Sequence, residues 1–174
     1  MKNILVIEDW KPIAKAIKAL LERAGHQVTW LVGANSYQTT DGGAILAGLT
    51  GDGQTQEIDC RQFQVAFVDG QLEGNIQGPA LIQLLVQSKV ACCGMSTDPK
   101  LNNEMLALGA TMAFKKPIVL AGLLSDKLSV SDVIAPTRTA QTRLSSLEGR
   151  FTTPQFAELR ELADASLAPF MAEA

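Results

Sequence analysis

The stretch VAFVDG, residues 65–70, places an aspartate directly after four consecutive apolar residues. Such a run is typical of a strand that is buried on both faces of a parallel sheet. Asp69 then lies at the point where the chain leaves the sheet. A buried carboxylate without a partner costs several kcal/mol or has a shifted pKa. Asp69 is therefore either a solvated residue of an Asp-Gly turn or part of a site that uses its charge.

The composition limits the kind of protein. The chain has 174 residues, of which 47% are hydrophobic and 19% are charged, with a formal net charge of -3, which predicts one globular domain with a short appendage. The slightly acidic balance gives no general field that attracts nucleic acid, and no apolar run is long enough to span a membrane. The N-terminus lacks the pattern of a signal peptide. The odd set of Cys60, Cys92 and Cys93 indicates packing residues in a reducing compartment, so we expect a cytoplasmic protein.

Strand patterns alternate with amphipathic helix patterns along most of the chain. Pro12 and Pro79 stand near predicted helix starts, and Gly25 and Gly109 suit helix ends. The pattern predicts strands at 3–7, 27–33, 65–68, 90–96 and 110–117. It predicts helices at 10–25, 79–88 and 118–129, and over 97–109 a polar loop that runs into a helix closed by Gly109. This alternation is typical of an α/β fold with a doubly wound five-stranded parallel sheet.

Residues 34–62 interrupt the alternation. Glycines at 42, 43, 48, 51 and 53 disfavour a second amphipathic helix. Two segments joined by the turn at 51–53 are more typical of a β-hairpin, which we predict at 43–50 and 54–60. A short helix over 44–49 is the alternative.

The composition changes again after residue 128. Residues 129–151 are rich in Ser, Thr, Ala and Arg, which predicts a linker. Residues 152–174 predict a C-terminal helical extension with an apolar face formed by Phe156, Leu159, Leu162, Ala163 and Leu167. An isolated helix of this length is marginal in water, so it should dock on another surface. The expected organisation is a domain at 1–128, a linker at 129–151 and an extension at 152–174.

Polar residues follow the predicted strands at one edge of the sheet, where ligands bind in open α/β folds. At the end of the first strand they are Glu8 and Asp9, at the end of the third Asp69, at the end of the fourth Ser96 and Thr97, and at the end of the fifth Lys116. Three ionised carboxylates in one crevice need a cation, and an all-oxygen set suits Mg2+ or a similar hard ion. This set makes chemical sense if Asp69 is a nucleophile toward phosphorus, with the metal and Lys116 stabilising the transferred charge.

The sequence resembles the receiver domain of two-component response regulators. The resemblance covers residues 1–128 and is carried by VIEDW at 6–10, VAFVDG at 65–70, GMST at 94–97, LALGA at 106–110 and AFKKPI at 113–118. It implies a flavodoxin-like sheet with strand order 2-1-3-4-5 and Mg2+ as the cofactor. It also implies a sensor histidine kinase or phosphotransfer protein as the phosphodonor.

The resemblance further implies a role for each matching residue. Asp69 would be the phosphoacceptor, and Lys116 would pair with the phosphoryl group. Glu8, Asp9, Asp69 and the backbone carbonyl of Gln71 would hold the metal, with Asp9 as the more direct acidic ligand. Ser96 would supply the hydroxyl that turns toward the phosphoryl group, with Thr97 as the alternative. Pro117 would follow a cis peptide bond.

The chain also departs from the family. The loop after Asp69 is one residue longer than usual, and Ala113 stands where the family often has an aromatic residue, beside Phe114, which should face the other way. Our first hypothesis is a stand-alone phosphoacceptor that signals through a downstream protein partner or a homodimer. The alternative is a degenerate receiver that acts as a phosphorylation-independent interaction module. A Mg2+-dependent phosphatase is disfavoured because Gln71 stands where such enzymes need a second acid.

Overall fold

The computed structural model describes residues 1–148 and Glu161, and its centre is a five-stranded parallel sheet. The strands, numbered in chain order, are β1 (Asn3–Ile7), β2 (Gln27–Leu31), β6 (Val65–Asp69), β7 (Ala91–Met95) and β8 (Met112–Phe114). They lie in the order β2-β1-β6-β7-β8. Counted among the parallel strands alone, this is the order 2-1-3-4-5, and the predicted fold class is confirmed.

Helices cover both faces of this sheet. The helices of the described residues are α1 (Lys11–Arg23), α2 (Gly78–Gln87), α3 (Pro99–Ala107), α4 (Lys116–Leu124), α5 (Val130–Ile134) and α6 (Arg138–Ser145). Alternate strand residues enter two apolar clusters, one against α1, α4 and α5 and the other against α2 and α3. Cys93 lies in the first cluster and Cys92 in the second, because successive strand residues point to opposite faces. None of the helices in the described residues is long and apolar enough to cross a membrane.

A second, three-stranded antiparallel sheet occupies the region of the predicted hairpin. Its strands are β3 (Gly33–Thr40), β4 (Gly43–Leu49) and β5 (Thr55–Asp59), in the order β3-β4-β5. The hairpin of β4 and β5 is confirmed, and the alternative short helix over 44–49 is wrong. Strand β3 was not predicted, because its polar sequence GANSYQTT lacks an apolar alternation and most of it is exposed. A 3₁₀ helix, Cys60–Gln62, leads from β5 back toward β6.

The structure differs from the predicted linker over its described part, residues 129–148. This part forms α5 and α6, whose apolar side chains are buried, including Val133 and Leu144. Ser129 caps α5 in a reciprocal capping box with Asp132, and Thr137 caps α6. The Ser and Thr residues that indicated a linker therefore begin helices. The rest of the predicted linker and nearly all of the predicted extension at 152–174 lie outside the described residues.

Candidate functional site

The carboxyl ends of two adjacent parallel strands bring the acidic residues together. Glu8 and Asp9 follow β1, and Asp69 is the last residue of β6, which pairs directly with β1. One carboxylate oxygen from each of the three lies within 4.8 Å of the others. Glu8 is 0% exposed and Asp69 is 3% exposed, whereas Asp9 is half-buried. The strands thus place two buried acids and one accessible acid at one point of the sheet edge.

Lys116 joins the two buried acids. Its Nζ atom lies 2.7 Å from Asp69 Oδ2 and 3.0 Å from Glu8 Oε1. The lysine is the first residue of α4, and its side chain is 11% exposed. One ammonium balances only one of two ionised carboxylates. Glu8, Asp69 and Lys116 together therefore keep an excess negative charge, and Asp9 adds to it. This excess favours a second cation.

The ionisation of the buried groups follows from their surroundings. Burial, followed by the charge of Asp69, raises the pKa of Glu8 to about 7. Burial also raises the pKa of Asp69, although the hydrogen bond and charge of Lys116 oppose the shift. Burial lowers the pKa of Lys116, but the charges of Glu8 and Asp69 outweigh this effect and the pKa is raised. Lys116 is therefore held in its charged form beside acids that ionise less readily than in water.

Besides their proximity, a second observation shows that the three acids suit a divalent metal ion. Glu8 Oε2 is buried and has no hydrogen-bond partner among the described residues. A buried carboxylate oxygen without a partner is costly, and a bound cation would remove this cost. Glu8 Oε1, by contrast, accepts hydrogen bonds from Lys116 Nζ and from the backbone N–H of Trp10, each at 3.0 Å.

The loop after β6 contacts two of the acids through its backbone. The N–H of Gln71 donates to Asp69 Oδ1 at 3.3 Å, and the N–H of Glu73 donates to Asp9 Oδ2 at 3.0 Å. The Gln77 side chain pairs with both backbone groups of Leu72, at 3.1 Å each, and so fixes the middle of the loop. The role of the Gln71 carbonyl as a metal ligand stays a prediction.

The two hydroxyl candidates lie in different environments. Ser96 is 3% exposed, and a Cβ atom placed on Gly70 would lie 2.8 Å from its Oγ. Its hydroxyl is therefore beside the residue that follows Asp69. Thr97 is exposed. Burial next to the acid-bearing strand favours Ser96 over Thr97, and its role stays a proposal.

Three contacts at the site were not predicted from the sequence. The indole Nε1 of Trp30 on β2 donates to the backbone carbonyl of Glu8 at 2.9 Å. The others are the Glu73 hydrogen bond to Asp9 and the contact between the Asn102 side chain and Ser96. These contacts join residues that are distant in sequence or lie in irregular segments. The hydrophobic periodicity of the sequence therefore does not indicate them.

The predicted cis bond before Pro117 is wrong, since the described residues contain no cis peptide bond. Helix α4 begins at Lys116, the residue before Pro117, so Pro117 lies in the first turn of the helix. A trans proline is well tolerated there, because the first N–H groups of a helix have no intrahelical partner.

Strand β8 has the side-chain arrangement that the sequence predicted. Phe114 is buried in the cluster against α1 and α4, while Ala113 pairs with Gly94 and faces the opposite side. A Cβ atom on Gly94 would lie 3.1 Å from the Ala113 Cβ and 2.8 Å from the Met105 Cε. Gly94 of β7 and Ala113 of β8 therefore lie beside Met105 of α3.

The sequence matches no protein-family model and no curated protein. The structure, however, is similar to solved receiver domains and response regulators. One is a response regulator from Burkholderia pseudomallei with a phosphorylated aspartic acid, a calcium ion and citrate, at TM-score 0.50 and 20% identity, over 87% of this chain and 76% of that chain. Another is the non-phosphorylated HemR receiver domain from Leptospira biflexa, at TM-score 0.52 and 17% identity, over 79% of this chain and 98% of that chain.

A putative response regulator from Chloroflexus aurantiacus is also similar, at TM-score 0.51 and 13% identity, over 77% of this chain and 98% of that chain. At such low identities the similarity shows the fold, which is the receiver-domain fold. The chemistry of the site depends on the residues of this chain.

Proposed function

We propose that this protein is a phosphoacceptor response regulator that takes a phosphoryl group on Asp69 from a histidine kinase or phosphotransfer protein. One observation carries the proposal: Lys116 Nζ binds Asp69 at 2.7 Å and Glu8 at 3.0 Å, at a point where Asp9 adds a third carboxylate. Among the described residues, Lys116 is the cation that forms ion pairs with Glu8 and Asp69, and the three carboxylates carry more negative charge than it balances. This arrangement suits a site that receives a metal ion and a phosphoryl group.

The transfer is a displacement at phosphorus. A carboxylate oxygen of Asp69 forms a bond to the phosphorus of the donor phosphohistidine, and the P–N bond breaks with its electron pair going to the imidazole nitrogen. Attack by water on the aspartyl phosphate later releases inorganic phosphate and restores the carboxylate. The protein is therefore modified and reset, and it does not turn over a metabolite.

The neighbouring residues support this transfer electrostatically. Glu8, Asp9, Asp69 and the Gln71 carbonyl would hold Mg2+, which when bound neutralises charge on the phosphoryl oxygens. Lys116 supplies a fixed ammonium at the Asp69 carboxylate, bound to Oδ2. Ser96 supplies a hydroxyl beside Gly70, with Thr97 as the less buried alternative. Output runs through contacts with a downstream protein or a second copy of the chain.

A second candidate is a receiver that acts as a phosphorylation-independent interaction module. Two observations favour it: Ala113 stands at the position of the usual aromatic residue, and the β3–β5 sheet replaces a helix of the fold. The buried pair of Glu8 and Asp69 argues against it, because a binding module without chemistry has no use for two acids around one lysine.

The test is the intact mass after incubation with acetyl phosphate and Mg2+. We expect a gain of one phosphoryl group that requires the metal, is absent in Asp69→Asn and is retained in Asp41→Asn, an exposed aspartate in a turn. An adduct that survives in Asp69→Asn would refute Asp69 as the acceptor. If the wild type gains no phosphoryl group and its melting temperature does not shift on adding Mg2+, the phosphoacceptor function is refuted and the interaction module is the remaining candidate.

A further inference from the structure

The side chain of Asn102 on α3 holds Ser96 by both of its backbone groups. Asn102 Oδ1 accepts from the Ser96 N–H at 3.0 Å, and Asn102 Nδ2 donates to the Ser96 carbonyl at 2.9 Å. The asparagine is 7% exposed. Its amide thus pairs with Ser96 as a neighbouring strand would, at the point where β7 ends.

This contact is not needed to begin the helix. The N-cap of α3 is Asp98, whose side chain accepts from the N–H of Lys100 at 2.9 Å. Asn102 lies one turn further along, and its only side-chain hydrogen bonds within the described residues go to Ser96. A buried amide that makes both of its hydrogen bonds to one residue fixes that residue with two directional bonds.

The fixed residue carries a hydroxyl that is ready to donate. Ser96 Oγ accepts from the N–H of Asp98 at 3.2 Å, and no acceptor for its hydrogen is found in residues 1–148. The same atom would lie 2.8 Å from a Cβ placed on Gly70. The backbone bonds to Asn102 therefore hold a hydroxyl beside the end of β6 while its hydrogen stays free for a ligand.

We propose that Asn102 is a positioning residue for phosphoryl transfer, acting through the Ser96 hydroxyl and linking the occupied state of Asp69 to α3. The inference rests on the proposed phosphoacceptor function. Because Ser96 is bonded to Asn102 through its backbone, a shift of Ser96 toward a phosphoryl oxygen displaces the Asn102 side chain and its helix with it. This coupling between Asp69 and α3 does not need an aromatic side chain at position 113, where the chain has alanine.

The neighbouring Asn103 provides a matched control. It lies on the same helix, has the same side chain and is exposed. The rate of Asp69 phosphorylation by acetyl phosphate would be measured in the wild type, Asn102→Ala, Asn103→Ala, Ser96→Ala and the double variant Ser96→Ala/Asn102→Ala. Asn102→Asp keeps the size of the side chain and serves as the second variant if Asn102→Ala does not fold. Tryptophan emission would follow Mg2+ binding in each protein.

We expect Asn102→Ala to slow phosphorylation about tenfold, which corresponds to the loss of one charge-assisted hydrogen bond. Asn103→Ala should keep the wild-type rate. The Mg2+ dissociation constant should not change in either protein, since Asn102 contacts none of the acids. In the Ser96→Ala background, replacing Asn102 should slow the reaction by less than twofold, because the hydroxyl through which it acts is absent.

Other outcomes overturn the inference in distinguishable ways. If Asn102→Ala slows phosphorylation equally in the wild-type and Ser96→Ala backgrounds, Asn102 supports the fold and does not act through the Ser96 hydroxyl. A wild-type rate in folded Asn102→Ala or Asn102→Asp would remove its role while leaving the phosphoacceptor function intact. No phosphorylation of the wild type would remove both the function and the inference.

Discussion

Replacing Lys116 by methionine should destabilise the metal-free protein strongly, because it leaves two buried carboxylates without their cation. Glu8 and Asp69 are 0% and 3% exposed, and Lys116 Nζ lies 3.0 and 2.7 Å from them. Removing one partner of a buried ion pair costs about 3–5 kcal/mol. Since the acids can relieve part of this cost by taking up a proton, we expect a loss of about 3 kcal/mol near pH 8.

The same variant should bind Mg2+ more tightly than the wild type. Three carboxylates carry three negative charges when ionised, and Lys116 removes one of them in the wild type. A divalent ion entering the variant meets the full negative charge and restores a counter-ion to Glu8 and Asp69. Saturating Mg2+ should therefore recover most of the lost free energy of unfolding.

The loss should also shrink as the pH falls. Burial and the charge of Asp69 raise the pKa of Glu8 in the folded protein to about 7, so the folded state binds protons more tightly than the unfolded chain. A raised folded pKa contributes stability that is present below the unfolded pKa and is lost as the pH rises through the folded one. Without Lys116 the acids favour protonation still more, and the variant should approach the wild type near pH 5.

The assay is urea unfolding at about pH 8 and pH 5, with and without Mg2+. Lys115→Met is the control, since Lys115 is the adjacent lysine and is exposed; it should change the free energy of unfolding by less than about 0.5 kcal/mol. A loss below about 1 kcal/mol for Lys116→Met at pH 8, or weaker Mg2+ binding than in the wild type, would refute the electrostatic account of the site.

Three further predictions follow from individual contacts. Glu8→Gln should flatten the pH dependence of the unfolding free energy between about pH 4.5 and 7, an effect of at most about 3 kcal/mol; an unchanged slope in urea titrations would contradict the raised pKa. Gly33→Val should cost about 2 kcal/mol or more in thermal or urea unfolding, because a Cβ at Gly33 lies 1.8 Å from the Glu73 carbonyl oxygen; an unchanged midpoint would count against that packing. Burial raises the pKa of Cys60 to about 11, and all three cysteines are buried. Ellman's reagent at pH 8 should therefore react with them only after unfolding, and rapid labelling of the folded protein would contradict their burial.

The central sheet and the cluster of acids could be predicted because each depends on a local pattern. The run VAFV is buried on both sides in β6, and Asp69 is the last residue of that strand. Parallel strands bring their carboxyl ends to one edge whatever the helices do. Glu8 and Asp69 meet for this reason although they are far apart in sequence, and Lys116 joins them from the first residue of α4, just after β8.

The second sheet was predicted only in part because its first strand carries no apolar signal. Tyr37 and its neighbours in β3 are exposed, and the strand is held by backbone pairing with β4. The helices α5 and α6 were missed for a related reason. They are short, and what stabilises them is the burial of a few residues such as Val133 and Leu144 against the main core.

The contacts of Asn102 and Glu73 could not have been predicted from a single sequence. Both depend on where a loop runs in space: Asn102 reaches back six residues to Ser96, and Glu73 reaches Asp9 through its backbone N–H, which any residue except proline can supply. The sequence thus predicts which charged groups meet, while the surrounding hydrogen bonds depend on the folded backbone.

The loop after Asp69 links the acidic cluster to the second sheet by an unbroken series of backbone contacts. Its N–H groups bind Asp69 at Gln71 and Asp9 at Glu73. Glu73 forms a parallel bridge with Gly33 at the start of β3, and the backbone N–H groups of Asn75 and Ile76 each donate to the Ala34 carbonyl at 3.1 Å. A change of charge on either acid therefore acts on a segment that is bonded directly to β3. On β8 the small Ala113, and not Phe114, lies on the side of Met105 of α3. The loop after Asp69, Lys116 at the start of α4, and α3 through Asn102 are therefore physical connections through which the described part of the chain can respond to the state of Asp69.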